Sequence, residues 1–246
     1  MLTKAQIRYI RSLKLQKGRE ESKVFIAEGK KLAEEWLLSD WKIEMIIGVN
    51  DWVSANEYLL KKHPEAELTT VEDHELAQVS LQQTPNQVLL VCRQPEVSEA
   101  IIEEKWYLAL DDIQDPGNMG TIIRIADWFG INDIFCSPDC VEIYNPKVVQ
   151  SAMGGHLRVN MHSVALDSIL LNAGIPKLAA VLDGESLFSA NLPGHGIIVI
   201  GNESKGISSE IVKLCDYRIS IPRLGGAESL NAGVSAGIIC AVLTKK

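Results

Sequence analysis

Three segments of this chain set polar side chains and glycines at points where an apolar run gives way to helical spacing. In Asp111-Asp-Ile-Gln-Asp-Pro-Gly-Asn-Met-Gly-Thr-Ile-Ile-Arg-Ile-Ala-Asp127, Pro116 and Gly117 shape a turn, Asn118 stands where a helix cap belongs, and Gly120 permits close approach. Arg124 follows one turn later, off the apolar face of Met119, Ile122, Ile123, Ala126 and Phe129. In Ile197-Ile-Val-Ile-Gly-Asn-Glu-Ser-Lys-Gly-Ile-Ser-Ser-Glu210, an apolar strand ends at Gly201 and presents Asn202 and Glu203. A carboxylate at the C-terminal edge of a buried strand is a site candidate. In Ile219-Ser-Ile-Pro-Arg-Leu-Gly-Gly-Ala-Glu-Ser-Leu-Asn-Ala-Gly-Val-Ser235, a glycine-bearing loop runs into a helix rich in small residues. That helix is expected to open on Ser229 and Asn231, whose side chains both give and take hydrogen bonds. Small residues let a ligand lie against main chain.

Each segment also has a bland account. The third could be a tightly packed C-terminal helix, the second a plain strand–turn–helix joint. Arg124 could serve an i,i+3 pair with Asp127, worth about 0.3 kcal/mol. That pair has no need of Asn118 or Gly120, so the functional reading gains. The spacing is neither a Walker loop nor a Rossmann fingerprint, which weighs against a nucleotide-binding oxidoreductase. Cys136 and Cys140 have no matching His or Cys pair to complete a zinc set, so no metal is expected. All five cysteines (Cys92, Cys136, Cys140, Cys215, Cys240) read as reduced thiols of a cytoplasmic protein.

These loops must be held by alternating strands and helices, and the apolar pattern supplies them: an α/β layer packing, mostly parallel. Strands are expected at 24–27, 43–49, 68–71, 88–92, 106–110, 134–136, 178–182, 197–200 and 217–221. Helices are expected at 30–38, 54–61, 72–79, 119–129, 147–153, 166–172, 208–214 and 229–243. The acidic, proline-bearing segment Arg93–Lys105 reads as a linker, dividing a first domain (1–97) from a second (104–246). No apolar run reaches membrane-spanning length, and the N-terminus lacks the order of a secretory signal.

Charge is unevenly spread. Residues 1–31 hold nine basic and three acidic side chains, a segment of +6 in a chain of −8, which leaves −14 for the rest. Lys4, Arg8, Arg11 and Lys14 fall on one side of an expected N-terminal helix, with Ile7, Ile10 and Leu13 largely opposite. Such a stripe suits a phosphate backbone, although a solvated helix face has the same look.

Taken together, Asn118-Met-Gly-Thr-Ile-Ile-Arg124, Ile200-Gly-Asn-Glu-Ser-Lys-Gly206, and Ile221-Pro with Ser229-Leu-Asn-Ala-Gly-Val-Ser235 resemble the motifs of the SpoU/TrmH family of RNA ribose 2′-O-methyltransferases, in the SPOUT superfamily. All three occur in family order across the last 140 or so residues. Phe25-Ile-Ala-Glu-Gly-Lys-Lys-Leu-Ala-Glu-Glu35 is similar to the opening of the family's small, ribosomal-protein-like substrate-binding domain. The resemblance implies a SPOUT α/β domain with a deep trefoil knot, a smaller RNA-binding α/β domain, and a homodimer with its site at the subunit interface. It implies S-adenosylmethionine bound largely by main chain, around Gly201, Asn202, Ile221, Pro222 and Leu230. It assigns catalysis to Arg124 with Asn118, and shaping of the site to Glu203, Ser229 and Asn231. Its implied substrate is RNA, ribosomal RNA ahead of transfer RNA, and the alternative is an inactive RNA-binding or ribosome-assembly factor that keeps the fold. Two positions depart from the pattern: Gln150, where arginine is usual, and Asn160, where proline is usual. Since a guanidinium hardly ever gives up its proton, Arg124 suits a phosphate and alkoxide clamp better than a general base.

Overall fold

The apolar runs pair into two separate sheets, each at the centre of its own unit, in a computed structural model that describes residues 1–96 and 100–245. The expected linker therefore includes residues 97–99, which lie outside the described residues. In chain order the first elements are α1 (Lys4–Ser12), α2 (Gln16–Ser22), β1 (Val24–Glu28), α3 (Lys30–Leu38), β2 (Ile43–Val49), α4 (Asn50–Ala55) and α5 (Glu57–Leu60). Next come β3 (Glu67–Val71), α6 (Asp73–Val79), β4 (Val88–Arg93), β5 (Trp106–Asp111), α7 (Pro116–Phe129), β6 (Asp133–Cys136) and α8 (Pro146–Ala152). The last are β7 (Asn160–Ser163), α9 (Leu166–Asn172), β8 (Lys177–Ser186), β9 (Gly196–Gly201), α10 (Ser209–Val212), β10 (Tyr217–Ser220) and α11 (Ala232–Leu243).

The first unit comprises Met1–Glu96 and, from much later in the chain, Glu142–Leu157. The sequence assigns that later segment to the second domain; in the structure it clusters with the first. Its sheet has the order β1-β4-β2-β3, with β4 antiparallel to both neighbours and β2 parallel to β3. Every residue of β1 is buried, as a strand covered on both faces must be. Phe25 on β1 stacks on Tyr144 of the late segment at 4.7 Å and meets Trp36 edge-on at 5.1 Å. Arg19, only 2% exposed, donates from Nε to Glu142 at 2.9 Å and from Nη1 to the carbonyls of Leu13 and Lys14 at 2.7 and 3.0 Å. A capping box between Thr3 and Gln6 starts α1, which ends at Ser12, so Lys14 lies beyond the helix that was expected to carry it.

The second unit takes the rest of the described chain, up to Val141 and from Arg158 onward. Its six strands, all parallel, run β10-β8-β9-β5-β6-β7. The chain builds outward from β5 through β6 to β7, then crosses to the other side for β8, β9 and β10. The direction of winding reverses between β5 and β9, which puts a topological switch point at their shared C-terminal edge. Tyr107 and Ala109 of β5 join Ile197, Val199, Leu166, Leu170 and Ile211 in one core, beside α9 and α10. Their alternates Leu108, Leu110, Ile198 and Ile200 are buried too, on the face opposite by strand periodicity.

Local chemistry corrects several expectations. Asp115, not Asn118, caps α7: its carboxylate accepts from the Asn118 amide at 2.8 Å, and Pro116 occupies the first turn. α11 starts at Ala232 with Asn231 as its cap, which leaves Ser229 outside the helix. β7 was not anticipated, because Asn160 and His162 interrupt any apolar run. Both side chains bond to Asp133 of β6, at 3.1 and 3.0 Å, which accounts for the asparagine at 160. Among the described residues, no helix is long and apolar enough to cross a membrane, and no group of His, Cys, Asp and Glu could hold a metal ion.

Candidate active site at the switch point

The three segments singled out in the sequence leave the C-terminal ends of β5, β9 and β10. β5 and β9 are paired along their whole length, up to Asp111 opposite Gly201, so the first two loops start side by side. The loop after β9 closes on itself: the Asn202 amide donates to the Gly206 carbonyl at 3.1 Å and the Gly206 amide returns the bond at 2.9 Å. A Cβ at Gly201 would lie 2.3 Å from the Ile207 nitrogen, so only glycine fits at this approach.

Asn202 ties the neighbouring loops together. Its Nδ2 donates to the Asp112 carbonyl at 2.7 Å, and its Oδ1 accepts the amides of Ser204 and Lys205 at 2.9 and 3.1 Å. Every polar group of Asn202 is thus engaged inside the loops. Asp112 holds a left-handed φ of 57°, and its carboxyl lies 3.2 Å from Lys205 Nζ. Hydrogen bonds from Gln114 and Lys205 hold that carboxyl below its usual pKa. Cys140 fastens the base of the same turn, its sulfur 3.3 Å from both the Ile113 amide and the Leu110 carbonyl. None of these supports was named from the sequence. The Asp115-Pro116 cap could have been read there; Asp112 is of a type that tolerates the left-handed region, but the Asp111-Asp112 pair does not say which of the two adopts it.

On this frame three of the expected site residues form one network. Asn118 Nδ2 donates to Glu203 Oε1, and Asn231 Nδ2 donates to Asn118 Oδ1 at 2.7 Å. One largely buried amide therefore joins a carboxylate from the β9 loop to the capping residue of α11. Asn231 is itself fixed, since its Oδ1 accepts the Val234 amide at 3.2 Å. Glu203 Oε2 has no hydrogen-bond partner among the described residues.

Two expected catalytic residues stand apart from this network. Ser229 is exposed in the loop before α11. Arg124 is six residues along α7 from Asn118, about 9 Å down the axis and about 120° around it. It shares an exposed strip with Thr121 and Trp128, the latter 84% exposed. The bland pairing with Asp127 does not form, because Asp127 takes a two-pronged bond from Arg158 Nε at 2.8 and 3.0 Å. Among the described residues Arg124 has no ion pair.

The loop from Ile221 to Leu230 offers a different chemistry. Pro222 through Leu230 are exposed and Ile221 is half-buried. Among the described residues, no backbone amide from Arg223 to Leu230 donates a hydrogen bond. Leu224 and Leu230 add exposed apolar surface to this unspent main chain.

Residues 105–241 match the SpoU rRNA Methylase family, and residues 4–90 match the MRM3-like substrate binding domain. A 23S rRNA (guanosine(2553)-2′-O)-methyltransferase, RlmP of Bacillus subtilis, is 28% identical over 93% of this chain and 92% of its own length. A TrmH-family protein of Porphyromonas gingivalis has a similar structure, with a TM-score of 0.87, 34% identity, and coverage of 99% of this chain and 98% of that one. The AdoMet-bound rRNA methyltransferase of Sinorhizobium meliloti superposes with a TM-score of 0.89 at 25% identity, covering 99% and 95% of the two chains. With more than half of its residues inside one family match, and likeness that runs the whole length of its relatives, the chain belongs to the SpoU rRNA Methylase family.

Proposed function

We propose that this protein transfers a methyl group from S-adenosylmethionine to a ribose 2′-hydroxyl of RNA, with ribosomal RNA as substrate. The observation that carries the reading is the Asn231–Asn118–Glu203 network, drawn from three loops onto the switch point of a parallel sheet. RNA follows from the chemistry, since only RNA carries the 2′-hydroxyl. The relatives named above support the ribosomal choice.

The residues present fit the cofactor. Adenosine and the carbon arms of a methionyl sulfonium need main-chain donors, main-chain acceptors and apolar contact. Among the described residues, the loop from Ile221 to Leu230 offers amides without backbone partners, carbonyls of which only that of Ala227 is engaged, by Arg223, and exposed leucines. We assign Gly201, Ile221, Pro222 and Leu230 to direct contact, and Asn202 to holding the loops in register. When bound, the cofactor supplies an electrophilic methyl on a sulfonium.

The chain's own groups then have defined tasks. Asn118 holds Glu203 through one carboxylate oxygen, and the other accepts the proton of the ribose hydroxyl. Asn231 keeps the Asn118 amide in that orientation. Arg124 clamps phosphate and the nascent alkoxide, and Ser229 lines the RNA pocket. Fixed dipoles in a dry site favour the step, because charge cancels as the bond forms.

Arg124 lies away from the network of its own chain, so we place it in the site of a second copy, in a homodimer. The exposed strip Thr121–Arg124–Trp128 on α7 and the exposed Val234 and Ala241 on the packed helix α11 support that face as the subunit contact. We propose further that the C-terminal chain is knotted, a reading supported by its membership of the SpoU rRNA Methylase family. Lys4, Arg8, Arg11 and Lys14 grip phosphates, and five free thiols fit a cytoplasmic location.

The test uses labelled S-adenosylmethionine and RNA from cells lacking the gene. Wild type should transfer methyl to RNA at a mappable ribose 2′-O position, and Arg124→Ala should not. Cofactor binding without transfer to any RNA fraction would favour a binding factor instead.

A further inference from the structure

We infer that the amide side chains of Gln82, Asn86 and Gln150, gathered at Gly29 in the first unit, form a base-reading site for a single-stranded RNA nucleotide. The inference rests on the RNA-methyltransferase reading for its ligand class and adds where, and by what groups, the substrate's sequence is recognised. Gly29 holds a φ of 104°, a conformation that favours glycine, at the junction of β1 and α3. A Cβ placed on it would lie 3.7 Å from Asn86 Nδ2 and 3.8 Å from Gln82 Nε2, so two amide heads stand over a bare backbone position. Gln82 Nε2 donates to the Glu28 carbonyl at 3.3 Å and to Gln150 Oε1 at 3.0 Å, which brings in the third amide from α8.

A structural role accounts for only part of this cluster. The bonds made by Gln82 Nε2 tie the loop after α6 to β1 and to α8. They leave Gln82 Oε1, Gln150 Nε2 and both ends of the Asn86 amide without partners among the described residues. What remains is a mixed set of donors and acceptors on one patch, with Asn86 and Gln150 exposed. Uncharged amides cannot neutralise phosphate, but paired donors and acceptors match base edges, and a splayed single strand presents those edges. Charge is supplied next door by Lys30 and Lys31, both exposed at the start of α3. The patch is also held still. The Glu28 carboxylate beneath it accepts from Ser80 Oγ and from the Leu81 amide at 3.0 Å, which locks the loop that carries Gln82. Rigid placement lowers the ordering cost of binding.

The test uses the full-length protein and short fluorescein-labelled oligo(rA), oligo(rC) and oligo(rU). Wild type should favour one of them. Asn86→Ala with Gln150→Ala, both at exposed positions, should weaken the favoured oligomer about tenfold, remove the preference, and leave the salt dependence unchanged. Changing Lys4, Arg8, Arg11 and Lys14 to Ala should instead weaken all three alike and flatten the salt dependence. A double variant that keeps the wild-type preference overturns the inference, as does a wild type without preference or a uniform loss with a flatter salt slope. Methyl transfer to RNA, measured on the same two proteins, separates the two levels. Transfer by wild type with unchanged selectivity in the variant overturns the base-reading site alone, whereas absence of both transfer and RNA binding overturns the function and the site together.

Discussion

Asn118 spends both ends of its amide, one on Glu203 and one on Asn231, so a change at any of the three disturbs the others. Glu203→Gln is the cleanest probe, because a glutamine oxygen still accepts from Asn118 while the proposed proton acceptor is gone. Single-turnover methyl transfer should fall by about a hundredfold or more with the folded state and cofactor affinity retained. A variant with near-wild-type rate would take the proton-acceptor role from Glu203. Asn118→Ala should lose activity and stability together, by about 1–3 kcal/mol, since it strands a carboxylate oxygen and the Asn231 amide. These residue types were legible: a carboxylate ending an apolar strand, and an asparagine two residues past an Asp-Pro step. What Asn202 does was not. Its side chain is consumed by two amides of its own loop and by the Asp112 carbonyl, and only the pairing of β5 with β9 brings that carbonyl within reach.

The segment Glu142–Leu157, which includes α8, behaves as an element of the first unit although it is encoded within the second. Two groups make it integral. Arg19 is 2% exposed and has Glu142 as its carboxylate partner, so Glu142→Ala leaves a buried cation and should cost roughly 3–5 kcal/mol in urea unfolding. A fragment ending at residue 97 lacks that partner and the Tyr144 stack on Phe25, and should be largely unfolded. His156 supplies a pH dependence. It lies buried against Tyr144, its Nε2 2.9 Å from the Ile143 carbonyl and its Nδ1 without a partner. Burial pulls its pKa down to about 4 from an unfolded value of 6.5. The unfolded chain therefore binds the proton first as pH falls, so this contribution is full above pH 6.5 and is lost between about 6.5 and 4. Stability should drop by about 2 kcal/mol from pH 6.5 to 5, and His156→Phe should remove that component. An equal pH slope in the variant would show that other groups carry it. Element type was readable here, since the helix expected at 147–153 is α8. Its destination was not, because a burial partner more than a hundred residues away leaves no periodicity in the sequence.

At the scale of the whole molecule, the face that carries Arg124 also carries an exposed tryptophan, and an isolated chain has no evident use for either. The proposed two-fold dimer through this face would use both at once, burying Trp128 in the contact and handing Arg124 to the partner's site. Trp128→Glu should then yield a folded monomer by light scattering, without methyl transfer. A stronger test separates handing-over from simple packing. Arg124→Ala and Glu203→Gln are each expected to be inactive as homodimers. If each site takes Glu203 from one chain and Arg124 from the other, a mixed dimer holds one site with both residues intact and one with neither. Random mixing makes half of the dimers mixed, so unfolding and refolding the two inactive proteins together should restore about a quarter of wild-type activity. If Arg124 serves the network of its own chain, every site in the mixture still lacks one residue and activity stays at the background of the two parents. The rescue depends only on which chain supplies the guanidinium, because both substitutions are present in equal amount in either case.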